Sequence, residues 1–151
     1  MSIRLRLAAP EDVEQLGALK LRASLAWGDH IAQIAALPEA RAFGPEHLPF
    51  ATVAEAQARV VGFVTVLAGG DAGAELEDLF VDPDCWRRGI GRALVAEAVQ
   101  RARDAGADVL RVVANRRALE FYRACGFEVV GEVQTLFEPA LEMNKRLDLA
   151  S

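Results

Sequence analysis

The 151-residue sequence is poor in several residue types, and each scarcity argues against a class of protein. Its two cysteines, Cys85 and Cys125, match neither a disulfide framework nor a paired metal-binding motif, so both are expected to be thiols in a reducing cytoplasm. Its two histidines, His30 and His47, show no metal-ligand spacing, and no metal site is predicted. No apolar run is long enough to cross a bilayer, and the early apolar stretch is interrupted by arginines, so neither a membrane span nor a secretory signal is expected.

Apolar residues and arginine, by contrast, are plentiful. Hydrophobic residues make up 52% of the sequence, which can support a full core, and the length predicts a single domain over residues 1–151. Nine arginines against four acids give residues 87–123 a net charge of +5; because the whole chain carries −5, the remainder carries −10. This distribution indicates that one segment meets an anion, whereas nucleic acid would need a wider basic surface.

The most informative segment is residues 74–102. A buried strand ends at the turn-forming Asp82-Pro83-Asp84, and two glycines then open an amphipathic helix. A helix N-terminus exposes unpaired N–H groups, and glycine lets the backbone approach an anion, so the segment predicts a pyrophosphate site. A P-loop would need Gly-Lys-Ser or Gly-Lys-Thr, and a Rossmann fingerprint would need a small residue at Leu94, so both nucleotide motifs are excluded.

Two motifs in this part of the chain resemble a known family. Trp86-Arg87-Arg88-Gly89-Ile90-Gly91 resembles the acetyl-CoA loop, Arg/Gln-x-x-Gly-x-Gly/Ala, of the GCN5-related N-acetyltransferase superfamily. Trp86 departs from that pattern at a position thought to donate mainly a backbone N–H. A second block, from Asn115 to Phe127, resembles the family's other cofactor motif, Asn…Ala…Phe-Tyr…Gly-Phe, and stops at Gly126 as a C-cap glycine. The resemblance covers roughly residues 3–147.

The resemblance implies a mixed α/β fold with the order β-α-α-β-β-β-α-β-α-β-β. Its sheet would be splayed between the fourth and fifth strands to admit the pantetheine arm. Hydrophobic periodicity and turn residues place the individual elements. Strands are predicted near 3–7, 50–55, 59–67, 76–81, 109–113, 127–134 and 137–147. Helices are predicted up to Trp27, over 30–42 with a break at Pro38, after Gly89 and after Asn115, and loops at 44–49, 56–58 and 69–73.

The activity implied by the resemblance is transfer of the acetyl group of acetyl-CoA to a primary amine by direct attack in a ternary complex. The enzyme would be a cytoplasmic homodimer that uses no metal. The implied cofactor-binding residues are Leu79, Phe80, Val81, Arg87, Arg88, Gly89, Ile90, Gly91, Arg92, Asn115 and Tyr122.

Three residues are candidate catalysts. Tyr122 matches the position that in many family members protonates the coenzyme A sulfur, and a phenol with a pKa of about 10 is a competent acid toward a thiolate of about 8.5. Helix packing beside Phe121 is the alternative role for this tyrosine. Strand alternation puts Glu75 and Glu77 on one face, where either could accept the amine's proton or simply hold an ammonium. Glu77 is preferred because it lies nearer the thioester, and Asp78, on the opposite face, is expected to be a structural hydrogen bonder.

The sequence is also compatible with other functions. A non-catalytic acyl-CoA-binding or regulatory module would keep the same fold. An arginine-rich protein–protein module would explain the arginines but not the glycines between them. Small molecules, antibiotics, free amino acids and protein amines all remain candidate acceptors, because the first half of the chain has no recognisable motif. Six further residues are expected to have packing or surface roles, namely Trp27, His30, Phe43, His47, Trp86 and Cys125.

Overall fold

The computed structural model describes residues 2–28, 31–68, 73–136 and 138–147, and within them the elements follow the implied order. The strands are β1 (Arg4–Leu7), β2 (Ala51–Ala56), β3 (Arg59–Ala68), β4 (Ala74–Val81), β5 (Val109–Ala114), β6 (Glu128–Val133) and β7 (Ala140–Arg146). The α-helices are α1 (Val13–Leu25), α2 (Ile31–Ala36), α3 (Ile90–Asp104) and α4 (Leu119–Ala124). The strands form one mixed sheet in the order β1-β2-β3-β4-β5-β7-β6, with β4 and β5 parallel, so the predicted fold class is confirmed.

The chain divides into two compact units: Met1–Thr65 with Asp78–Leu94, and Val66–Glu77 with Val95–Ser151. In the first unit the fully buried Phe63 packs its ring against Phe43 and Phe80, with centroid separations of 5.6 and 5.7 Å. Burial of these rings and their aliphatic neighbours removes apolar surface from water and stabilises the unit. The core of this unit comprises Leu16, Leu19, Phe43, Ala51, Val53, Val60 and Phe63.

The second unit is organised by β5, β6 and β7. β5 pairs antiparallel with β7 from Val109–Arg146 to Ala114–Leu141, and β6 pairs with the other edge of β7. Leu110 and Met143 are fully buried. α4 ends where Gly126, at φ 93°, donates its N–H to the carbonyl of Arg123 at 2.9 Å, which confirms the predicted C-cap glycine.

The β2–β3 hairpin corrects one predicted boundary. Ala56 pairs with Arg59, so the connection has two residues rather than the predicted three. Those residues, Gln57 and Ala58, both have positive φ, 52° and 63°, as a type I′ turn requires. The turn is made without glycine, asparagine or aspartate, and tertiary pairing of the strands therefore overrides the local preference.

Two further predicted boundaries were wrong, and others fall outside the described residues. The segment predicted as a loop at 44–49 contains a 3-10 helix, Pro45–Phe50, because proline at the first position already has helical φ. β7 begins at Ala140, three residues later than predicted. Residue His30, the loop residues 69–72 and residue 137 lie outside the described part of the chain.

Candidate functional site

The parallel pairing of β4 with β5 is short. The register joins Ala74, Glu75 and Leu76 of β4 to Leu110, Arg111 and Val112 of β5. β4 then continues to Val81, past the end of that ladder. This is the element pair at which the resemblance implies a splayed sheet.

Burial along β4 follows the predicted alternation. Leu76 and Asp78 are buried, whereas Glu75 is half-buried and Glu77 is exposed, so the two glutamates lie on the opposite face from Asp78. Glu75 is paired with Arg111 in the parallel register. Glu77 is the first residue of β4 after this pairing ends. The two carboxylates are therefore in different electrostatic surroundings.

The three residues that end β4 divide between two faces. Phe80 packs its partly buried ring against Phe63 and the core of the first unit. Leu79 and Val81 are half-buried and alternate onto the face of the two glutamates. The predicted contact of these residues with coenzyme A stays a prediction.

The arginine–glycine loop in the first unit leads directly into α3. Arg87 and Gly89 have left-handed φ values of 66° and 83°, and Gly89 accepts the first helical hydrogen bond, from the N–H of Ala93 at 3.1 Å. Ile90 is buried, which fixes the first turn, and the N–H groups of that turn have no carbonyl to bond within the helix. A Cβ built at Gly89 would meet nothing within 4 Å, so the space in front of the loop is open.

Within the described ranges, no acidic side chain neutralises the positive charges of the loop. Arg87, Arg88 and Arg92 are exposed, and none of them forms an ion pair or side-chain hydrogen bond with any residue in the described ranges. Together with the dipole of α3, the three guanidinium groups give this loop a positive surface, as an anion would require.

The approach of α3 to β3 depends on a glycine that sequence analysis did not single out. A Cβ at Gly62 of β3 would lie 3.1 Å from both a Leu94 methyl carbon and the Phe80 carbonyl oxygen. Glycine inside a strand is a known signal of close backbone approach, and here it allows the helix that carries the loop to pack closely.

Residues just before the loop are held by a buried carboxylate, which sequence analysis recognised only as turn chemistry. Asp82 caps the 3-10 turn Pro83–Cys85 and accepts hydrogen bonds from Arg22 at 3.0 Å and Arg59 at 3.3 Å. Burial by itself would raise the pKa of Asp82, but the hydrogen bonds from the Asp84 N–H and Arg22, with the charges of Arg22 and Arg59, outweigh burial and lower that pKa.

Tyr122 lies in α4 of the second unit and is only 6% exposed. Its ring packs edge-on against Phe121 and Phe127, with centroids 5.1 and 5.4 Å apart. Burial, with a smaller effect of Cys125, raises the pKa of the Tyr122 phenol above its ordinary value of 10.0. An ordinary phenol is already protonated near neutral pH, so the raised pKa keeps the proton in place but makes the phenol a weaker acid toward a thiolate.

Asn115 has a defined local role. Its side-chain oxygen accepts a hydrogen bond from the N–H of Arg117 at 2.8 Å and so caps the 3-10 turn Arg116–Ala118. This cap positions the chain that leads into α4 and Tyr122. Its predicted contact with the cofactor is untested.

The remaining candidates pack as expected. Trp27 and Trp86 stack on each other with centroids 5.2 Å apart, and the Trp86 indole N–H donates to the carbonyl of Val81 at 2.8 Å. Phe43 is a core residue, and His47 is half-buried with its ring edge-on to Phe43. Cys85 is buried and Cys125 half-buried, and neither forms a disulfide within the described ranges. His30 lies outside the described residues.

No group of three or more His, Cys, Asp or Glu side chains is placed to hold a metal ion within the described ranges. None of the helices in those ranges combines the length and hydrophobicity that a membrane span needs.

Comparison with known proteins identifies the family. The model of the acetyltransferase (GNAT) family matches residues 12–127, and the chain therefore belongs to this family. Peptidyl-lysine N-acetyltransferase YjaB of Escherichia coli is 32% identical over 144 residues, which cover 92% of each chain. An uncharacterized N-acetyltransferase of Methanocaldococcus jannaschii, MJ1207, is 43% identical over 58 residues, and the match spans 36% of this chain and only 26% of that protein.

Solved structures agree with the family assignment. A GCN5-related N-acetyltransferase from Rhodopseudomonas palustris superposes with a TM-score of 0.81 at 25% identity, over 97% of each chain. The PaiA N-acetyltransferase of Thermoplasma acidophilum, solved in complex with coenzyme A, superposes with a TM-score of 0.72 at 21% identity, over 97% of this chain and 99% of that one. The predicted family, fold and enzyme class are confirmed.

Proposed function

We propose that the protein transfers the acetyl group of acetyl-CoA to a primary amine of a cationic acceptor, such as a protein lysine side chain. The observation that carries the proposal is the arginine–glycine loop, whose three unpaired guanidinium groups surround the open N-terminus of α3. Coenzyme A brings a pyrophosphate, the anion this surface suits. Leu79, Phe80, Val81, Ile90, Gly91, Asn115 and Tyr122 complete the proposed cofactor-binding set.

The proposed chemistry is direct transfer within a ternary complex. The neutral amine attacks the thioester carbonyl, the C–N bond forms, and the carbon–sulfur bond then breaks to release coenzyme A. The departing thiolate takes a proton from Tyr122, and the amine's surplus proton leaves to Glu77 or to water. The buried, protonated phenol supports the first role, and the exposure of Glu77 supports the second.

Charge favours a cationic acceptor over an anionic one. Residues outside 87–123 carry a net −10, which would attract an ammonium and repel a carboxylate-rich or phosphorylated molecule. Glu77 is preferred to Glu75 as the group that meets the amine, because Glu77 is exposed whereas Glu75 is half-buried. The name of the Escherichia coli relative, a peptidyl-lysine N-acetyltransferase, points to the same acceptor class.

The test is release of free coenzyme A thiol from acetyl-CoA in the presence of lysine-containing peptides and small diamines, with mass gain of the acceptor as a second readout. We expect turnover with cationic peptides and little with acidic ones. Absence of acetyl-CoA-dependent mass gain on every amine, with acetyl-CoA binding intact, would contradict the transferase activity.

Cofactor binding has its own test with a matched control. Gly89→Glu places bulk and negative charge in front of the loop, and we expect it to abolish the rise in melting temperature that acetyl-CoA causes in the wild type. Gly106→Glu is the control, because Gly106 has nearly the same φ, 86°, and an equally open Cβ position, but follows the other end of α3. If acetyl-CoA raises the melting temperature of the two variants equally, the loop is not part of the binding site.

We also propose that the two compact units belong to one acetyltransferase domain over residues 1–151 and that the enzyme is a cytoplasmic homodimer. The family match over residues 12–127 includes residues of both units, and β3, β4 and α3 each have residues in both units. Exposed Val129, Val130 and Val133 on β6 offer apolar surface to a second copy. Light scattering on the purified protein measures the mass directly, and a monomer at micromolar concentration contradicts the dimer.

A further inference from the structure

We propose that Asp82 is a positioning residue for the arginine–glycine loop, acting through Arg22 and Arg59. The proposal rests on the function proposed above, since its effect is read out as coenzyme A affinity. It adds a residue that touches no ligand but fixes the backbone donors that do.

The Asp82 side chain is only 4% exposed and is fully engaged. One carboxylate oxygen accepts the N–H of Asp84 at 3.1 Å, and the other accepts Arg22 of α1 at 3.0 Å and Arg59 of β3 at 3.3 Å. The Asp82 N–H donates to the Val61 carbonyl at 2.8 Å. This one residue therefore joins the end of β4 to both α1 and β3.

Hydrogen bonds and a ring contact also hold the next four residues, which connect Asp82 to the arginine–glycine loop. The Cys85 N–H donates to the Asp82 carbonyl at 2.8 Å, and the Trp86 N–H donates to the Pro83 carbonyl at 3.3 Å. The Trp86 indole reaches back to the Val81 carbonyl, and its ring lies on Trp27. Trp86 thus uses its side chain as an anchor at the motif position where the family has arginine or glutamine.

Arg87 follows this anchored segment directly, in the left-handed conformation that starts the loop. Only two residues, Arg88 and Gly89, separate it from the first turn of α3. A displacement of residues 82–86 is therefore transmitted to the N–H groups that would face the pyrophosphate. Such donors act only when they are held within about 0.5 Å of the productive geometry.

Removing the charge of Asp82 distinguishes a positioning effect from an electrostatic effect, because the two predict opposite changes in anion affinity. Arg22 and Arg59 are about half exposed, 51% and 54%, so both can be solvated when Asp82 loses its charge. Asp82→Asn makes the surroundings of the loop more positive, and an electrostatic effect alone would tighten binding of an anion. Positioning predicts the opposite, weaker binding.

The experiment is calorimetric titration of coenzyme A into folded variants, with the melting temperature recorded for each. We expect Asp82→Asn to raise the Kd at least about tenfold. Asp84→Asn is the charge control, because this exposed carboxylate lies in the same turn and only its backbone N–H contacts Asp82. Asp12→Asn is the stability control, because Asp12 is a buried carboxylate of the same unit paired with Arg6. Asp12→Asn should keep the wild-type Kd, and Asp84→Asn should keep it or lower it, because its lost charge acts by electrostatics alone.

A folded Asp82→Asn protein that binds coenzyme A as tightly as the wild type, or more tightly, overturns the inference. Should that variant fail to fold, Trp86→Phe serves in its place, because it deletes the indole N–H without changing charge. An increase in its Kd of about threefold or more then supports the anchoring, and an unchanged Kd overturns it. Failure of the wild type itself to bind coenzyme A would instead defeat the proposed function.

Discussion

Replacing Tyr122 with phenylalanine isolates one hydroxyl group in an otherwise unchanged aromatic cluster. The ring remains between Phe121 and Phe127, so packing is kept. The hydroxyl belongs to a residue that is 6% exposed, and no hydrogen bond to it is formed by the residues in the described ranges. Because the ring supplies the packing and the hydroxyl is not one of the buried polar atoms without a partner in the described ranges, its removal should change the free energy of unfolding by less than about 1 kcal/mol.

Catalysis should respond more strongly than stability. If the phenol protonates the departing thiolate, its loss should lower kcat about 10²-fold, equivalent to about 2.7 kcal/mol of transition-state stabilisation. The Kd of acetyl-CoA should change little, since the proton is needed only as the carbon–sulfur bond breaks. Steady-state kinetics with a proven acceptor and thermal melting on the same samples measure both effects. A stable Tyr122→Phe enzyme with wild-type kcat would return Tyr122 to a packing role.

The raised pKa gives this prediction a pH signature. Because the folded protein holds the Tyr122 proton more tightly than the unfolded chain, the associated stability is fully present below pH 10.0, the ordinary value, and is lost as pH rises above it. Tyr122→Phe should remove this alkaline loss. Phe121→Leu is the packing control, since it opens space beside the tyrosine and should lower the melting temperature without a comparable loss of kcat.

Three further outcomes follow from the same structure. The rise in melting temperature caused by acetyl-CoA should shrink at high salt, because exposed Arg87, Arg88 and Arg92 supply screened charge; a salt-independent shift would place the phosphates elsewhere. Glu77→Gln should raise the KM of a cationic acceptor and, if Glu77 is the base, lower kcat and shift the pH profile, whereas unchanged constants would exclude it from both roles. Asp12→Asn should cost about 1–3 kcal/mol in urea unfolding, because it weakens two charge-assisted hydrogen bonds from Arg6, which keeps Glu55 as its other partner. Since the pKa of Asp12 is lowered by Arg6, that contribution should vanish in the wild type as pH falls below 3.8, and a variant equally stable at neutral pH would refute the role of the pair.

Local signals in the sequence were sufficient to predict the order of elements and the cofactor loop. The helix that begins at Ile90, the strand that ends before Asp82 and the C-cap at Gly126 each depend on residues within a few positions of one another. Such signals are written in adjacent residue types, so they can be recognised without knowing the rest of the fold. The resemblance then implied a mixed sheet splayed between its fourth and fifth strands, which local pattern alone does not determine.

Two of the missed features depend on contacts between distant positions. Gln57 and Ala58 take left-handed conformations because the paired strands on either side require that turn, although neither residue favours it. Gly62 is needed because α3 approaches β3 closely, which the surrounding strand sequence does not reveal. Neither requirement can be recognised in a window of neighbouring residues.

The same distinction explains why the cofactor loop was predicted and its support was not. Arg87 to Arg92 form a contiguous motif, and each residue contributes a charge, a backbone N–H or conformational freedom on its own. Asp82 acquires its role only by meeting Arg22, sixty positions earlier, and Arg59, twenty-three positions earlier. An acceptor pocket, for which the first half of the chain offers no motif, would be built in the same way from scattered side chains. Identifying the acceptor therefore requires binding experiments on the folded protein, whereas the cofactor could be proposed from six consecutive residues.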